Sequence, residues 1–129
     1  MNVKINTKER FIVLIPEEAN ISANMTEDIT KLAKFVQPGL PHLVINMKEV
    51  IGIAPEAAHR LASLQQEFYE RNNSFVICEM QKEVQDIFDS EELTDTMNIT
   101  PTESEASDIV QLEEIERELF GDDNEIIIL

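Results

Sequence analysis

The spacing of apolar positions along this chain switches repeatedly between the period of two that suits strands and the three-and-four spacing that suits helices. Residues 3–5 and 11–15 are short apolar runs separated by a polar turn at 6–10, and Pro16 ends the second, so the chain opens with two strands. Met25, Ile29, Leu32, Ala33 and Val36 then recur on one helical face. Asn24 is the expected N-cap of this helix, with Glu27 at its third position. Lys31 and Lys34 lie towards its C-terminal end, where the helix dipole favours cations, and Pro38-Gly39 closes it.

Residues 43–47 read as a third strand, apolar enough to be central. Residues 48–53 are a connection, and Pro55 suits the first turn of the next helix because its missing N–H would have had no partner there. That helix should bury Ala57, Leu61, Leu64 and Phe68 and turn His59, Ser63, Gln66 and Glu70 outward, with Arg71-Asn72-Asn73 as its exit. Residues 74–80 form a fourth strand, in which Phe75, Val76, Ile77 and Cys78 call for burial on both faces. A short helix over 82–89 centres on Val84, Ile87 and Phe88, and 96–99 supplies a fifth strand. Thr100 as N-cap, Pro101 at the first position and Glu103 at the third start a last helix over about 101–120, with Gly121 as its stop. The order is β-β-α-β-α-β-α-β-α, an α/β chain, with one domain over 1–121 and a tail over 122–129.

The last helix carries two apolar stripes. Ala106, Ile109 and Val110 share one face, while Leu112, Ile115 and Leu119 share another, rotated by well over a quarter turn. One stripe docks on the sheet; the other either lies under neighbouring loops or meets a partner or a second copy of the chain. The tail places four apolar residues, 126–129, after an acidic spacer at 122–125. Such an end either frays or adds as an edge strand to this protein or another.

At 129 residues the chain is long enough for one real core. Its hydrophobic share of 43% and charged share of 28% are ordinary for a globular domain. No apolar run approaches the roughly 20 residues that span a bilayer, so direct membrane insertion is not expected. The first residues lack the apolar core of a signal peptide, and Cys78 is alone, which together place the protein in the cytoplasm. The net charge of −16 arises almost wholly from residues 83–129, whose one basic group is Arg117. Nucleic acid and anionic membranes would be repelled by that segment. It is either a solvated acidic surface or a docking face for a basic partner.

The strand–loop–helix junction around residues 42–68 is where open α/β domains place a ligand or a switch. Yet the turn itself reads Ala54-Pro55-Glu56-Ala57, and residues 48–62 hold no Ser, Thr or Tyr. Signs of catalysis are absent elsewhere too. The three glycines, Gly39, Gly52 and Gly121, form no phosphate loop. His42 and His59 lie on different elements and read as two surface histidines, and Cys78 reads as a buried small hydrophobe. Carboxylates are plentiful, but no pair stands out as an acid/base couple, and residues 122–125 lack the glycine and spacing of a calcium loop. No enzyme, cofactor or metal is expected.

The order of elements, with Phe11-Ile-Val-Leu-Ile, Ile21-Ser22-Ala23-Asn24, Leu43-Val-Ile-Asn-Met-Lys-Glu-Val50, Asn73-Ser74-Phe-Val-Ile-Cys and Glu83-Val84-Gln-Asp-Ile-Phe88, resembles the STAS domain of anti-sigma-factor antagonists over about residues 3–120. That resemblance implies a mixed central sheet with helices packed on it and a noncatalytic protein-interaction role. The family's most specific motif is an Asp-Ser-x-Gly turn whose Ser is phosphorylated by a kinase-type anti-sigma factor. The matching positions here are residues 54–57, so Pro55 stands at the acceptor, and the family's Asp at the second strand's exit falls on Ser22. Glu56 beside it places one fixed negative charge, a poor copy of a phosphate's −1.5 to −2, and its place in the first helical turn explains it as well. The resemblance puts the partner-binding surface at Ser22, Asn24, Gly52, Ala54, Pro55, Glu56, His59 and Ser63. It implies a constitutive or differently regulated binder, with Ser63 as the nearest hydroxyl on that helix. The implied partner is an anti-sigma factor or kinase-like ATPase; the alternatives are a place as adaptor in a larger assembly such as a transport complex, or a homodimer through the last helix or tail.

Overall fold

The computed structural model describes residues 1–36 and 40–120. The Pro38-Gly39 helix exit, the Gly121 stop and the tail over 122–129 lie outside the described residues. In chain order the elements are β1 (Val3–Thr7), β2 (Phe11–Pro16), β3 (Asn20–Ile21), α1 (Ala23–Val36), β4 (His42–Asn46), β5 (Gly52–Ile53), α2 (Pro55–Glu70), β6 (Phe75–Cys78), α3 (Lys82–Ser90), a 3-10 turn (Thr94–Thr96), β7 (Ile99–Thr100) and α4 (Glu103–Phe120). The main sheet runs β1-β2-β4-β6-β7, with β1 antiparallel to β2 and every other pair parallel. It is therefore the mixed sheet expected.

The three central strands β2, β4 and β6 are buried along their whole length, as their continuous apolar runs require. Alternation divides their side chains between two layers. Ile12, Leu14, Leu43, Ile45, Phe75 and Ile77 face the core beneath α1, α2 and α3, where Phe68 meets Phe75 edge-on. Phe11, Val13, Ile15, Val44, Val76 and Cys78 face the opposite way, against Ala106 and Val110 of α4. Helix α2 buries Ala57, Leu61, Leu64 and Phe68 as its periodicity dictates, together with Ala58.

Several expectations are corrected. Helix α1 starts one residue before Asn24, and the Met25 N–H is met by the Ser22 side chain and carbonyl, so Ser22 occupies the cap and Asn24 lies in the first turn. The connection 48–53 contains β5, which pairs in parallel with β3 as a separate two-stranded ribbon. The strand expected over 74–80 stops at Cys78, where Glu79 turns into the left-handed region at φ 60. The last strand lies at Ile99–Thr100, because the chain after α3 closes into the 3-10 turn at Thr94–Thr96. Thr100 is thus a strand residue, and Thr102 caps α4 by accepting the Glu105 N–H at 3.1 Å.

His42 is the largest correction: it is a buried residue, not a surface one. Its Nδ1 accepts the Ser74 N–H at 2.9 Å, so the ring proton sits on Nε2, which donates to Glu114 Oε2 at 2.9 Å. Arg10 Nε donates to the same carboxylate oxygen at 2.9 Å. Burial pulls the His42 pKa down despite the raising effect of Glu114. Burial alone would raise the Glu114 pKa, but the hydrogen bonds from His42 and Arg10 outweigh it and hold it below the ordinary value. Beside this group Glu113 accepts the Tyr69 hydroxyl at 2.7 Å and the Ser74 hydroxyl at 2.6 Å. The C-terminal half of α4 is thus anchored by polar side chains, and its N-terminal half by Ala106 and Val110 together with Glu103, which accepts from Asn46 Nδ2 at 2.9 Å.

Candidate functional site

Two loops meet at the head of α2. Asn20 lies opposite Gly52 and Ile21 opposite Ile53, and the N–H groups of Ile51 and Gly52 both donate to the Ala19 carbonyl, at 2.8 and 3.0 Å. The Ala54 N–H donates to the Ile21 carbonyl at 2.9 Å, which sets the residue before the helix. From the other side, Gln81 Nε2 reaches the Lys48 carbonyl at 2.9 Å and ties the start of α3 to the same connection. Gly52 lies close against Asn20: a Cβ there would meet Asn20 Oδ1, and the exposed Asn20 side chain would have to swing aside. The result is a shallow cleft of about 610 Å³, walled by Ser22, Met25, Gly52 and Ala54 and closed by Glu83 and Ile87 of α3. Ile51 stands at this junction with half its surface in solvent, at 52%.

Helix α2 begins with Ala54 in extended conformation, without a side-chain cap, and Pro55 at its first position. Glu56 accepts from Arg60 at 3.1 Å, and Arg60 also reaches Glu27 of α1 at 3.4 Å, so one guanidinium bridges the two helices. His59 Nε2 lies 2.8 Å from Glu91 Oε1, just beyond α3. Ser63 lies one turn further on and points outward.

The fold therefore gathers Ser22, Gly52 and Ala54 around the cleft. Pro55, Glu56, His59 and Ser63 run along the exposed side of α2 from its mouth, and Asn24 is exposed on α1 without lining the cleft. Sequence reasoning passed over Asn20, Ile51, Glu83 and Ile87. Ile51 had a signal: an apolar residue beside the one glycine of a strand-to-helix connection. Glu83 and Ile87 had none, since α3 reaches the cleft through tertiary packing.

Neither Cys78, on the α4 side of the sheet, nor Tyr69, at the far end of α2, is a ready nucleophile. Burial, then Glu103 and Glu79, push the Cys78 thiol up to about 12, so it stays protonated at neutral pH. Burial and the bond to Glu113 raise the Tyr69 hydroxyl well above its ordinary value. Among the described residues no group of three or more His, Cys, Asp or Glu is placed to hold a metal ion.

Residues 2–106 match the STAS domain. The chain belongs to the STAS domain family. Its fold recurs in a Thermotoga maritima protein described as an anti-sigma factor antagonist, with a TM-score of 0.70 at 13% identity over 84% of this chain and 94% of that one. The unphosphorylated anti-sigma factor antagonist SpoIIAA gives 0.67 at 15% identity, over 85% and 96%. Part of the murine anion transporter Slc26a9 has a similar fold, with a TM-score of 0.64 at 11% identity over 83% of this chain but 18% of that one. At these identities the likeness is one of fold. No curated protein matches the sequence. Within this STAS domain, no helix among the described residues is long and apolar enough to cross a membrane.

Proposed function

We propose that this STAS domain is a noncatalytic, cytoplasmic protein-interaction module of the anti-sigma-factor-antagonist kind that binds its partner without a phosphorylation switch at the α2 turn. The observation that carries the reading is the turn itself, where an uncapped Ala54 and a Pro55 open the helix and no hydroxyl is available. The partner surface is the mouth of the cleft with the outer side of α2: Ser22, Asn24, Gly52, Ala54, Pro55, Glu56, His59 and Ser63, to which the exposed Ile51 adds an apolar anchor. The partner class is an anti-sigma factor or kinase-like ATPase. The functional unit spans residues 1–121, with 122–129 as an appended tail.

A second role for the same module is that of an adaptor subunit in a larger assembly, favoured by the recurrence of this fold inside the Slc26a9 transporter chain. Affinity capture of the full-length protein from its own cells tests both readings against Glu56→Lys and His59→Glu variants. Glu56 makes an exposed ion pair with Arg60 worth at most about 1 kcal/mol, and His59 an exposed contact with Glu91, so the variants should keep the parent's far-UV spectrum and melting temperature. Capture of a kinase-like ATPase that the variants lose supports the regulator; capture of a membrane assembly supports the adaptor. A partner retained by both variants removes the α2 surface from the interface.

A further inference from the structure

Helix α4 turns two faces in opposite directions. Ala106 and Val110 dock on the sheet, and at 3.6 residues per turn Leu112, Ile115 and Leu119 fall on nearly the opposite side. All three are more than half exposed. Glu105 and Asp108 continue the strip towards the N-terminus, and Glu116 and Glu118 stand beside it, all four exposed and without an ion pair among the described residues. The one cation of this helix cannot offset them. Arg117 is turned to the other side, 3.9 Å from Glu113 and 5.9 Å from the centre of the Tyr69 ring. The family match ends at residue 106, before every apolar residue of the strip.

A second copy of the chain would set one acidic rim against another, and a neutral helix would leave the rim unpaired. An amphipathic helix with an apolar face bordered by Lys or Arg satisfies both the strip and its rim. We propose that the outward face of α4 docks a basic amphipathic helix of a partner protein. This surface lies across the sheet from the α2 cleft and does not depend on the role proposed there, so the module has room for two partners at once.

The test titrates the full-length protein into a labelled helical peptide with Leu on one face and Lys on the other, against a scrambled peptide of the same composition. The helical peptide should bind at least about tenfold more tightly than the scrambled one. Leu112→Ser/Leu119→Ser and, separately, Ile115→Lys should each weaken it by about tenfold or more, while Gln66→Ala, exposed on α2 across the sheet, leaves it unchanged. Equal binding of the scrambled peptide, or unchanged affinity in both α4 variants, overturns the proposal. So does a dimer in sedimentation that the α4 variants dissociate, which would assign the strip to a second copy. Tighter peptide binding after removal of 121–129 would assign the strip to the chain's own tail and overturn the proposal equally.

Discussion

His42 occupies the first position of β4, and both of its ring nitrogens are committed. Protonating Nδ1 would break its bond to the Ser74 N–H, and burial already penalises the charge. The folded pKa is depressed, so His42 contributes stability that is present above its ordinary 6.5 and is lost as pH falls through the lower folded value. Melting temperature should therefore fall as pH is taken below the ordinary 6.5, and His42→Ala should flatten that slope. At neutral pH the same substitution strands the Ser74 N–H and half the Glu114 site, at a cost of about 2–3 kcal/mol by chemical denaturation. Glu114 acts in a separate window, since its depressed pKa confines its loss to pH below the ordinary 4.5. An unchanged pH slope in His42→Ala would mean that other groups carry the acid sensitivity. None of this was readable from sequence: His42 beside Pro41 looks like any polar residue at a strand start, and its partners are 32 and 72 residues away.

At the scale of elements, the periodic patterns gave the helices and central strands correctly, while the caps moved. Ser22 and Asn24 are both competent caps with helical residues after them. The choice falls to Ser22 because pairing with β5 holds Asn20 and Ile21 extended and releases the chain into the helix directly afterwards. Likewise Thr100 is held opposite Cys78 in the sheet, which delays α4 until after Thr102. Ser22→Ala should then cost about 1 kcal/mol in urea denaturation, whereas Asn24→Ala should be close to neutral. The reverse order would return the cap to Asn24. The candidate site divides in the same manner: Ser22, Gly52 and Ala54 are among the residues the sequence points to, but Glu83 and Ile87, which complete the cleft around them, arrive from α3.

Across the whole molecule, charge and layering set the behaviour. A net charge of −16 concentrated in the last third repels itself, and salt screens exposed charges within about 10 Å at 0.1 M. Melting temperature should rise as sodium chloride is raised from about 20 to about 200 mM, because self-repulsion outweighs the few exposed ion pairs that salt weakens. A fall would show that pairs such as Arg60 with Glu56 and Glu27 dominate instead. The sheet separates the three-helix layer from α4, and this places the proposed α2 surface and the outer strip of α4 on opposite sides.

The sequence by itself determined the order of the main-sheet strands and the helices, the fully buried central strands, the buried face of α2 and the two-faced character of α4. These follow from spacings of two, three and four residues, which are local and survive any arrangement of the whole. Only the tertiary structure decided that β3 pairs with β5, that His42 is buried, that Ser22 and Thr102 are the caps and that α3 closes the cleft. Each of those depends on groups brought together from distant parts of the chain, and a hydrogen bond or a collision across such a distance leaves no period to read.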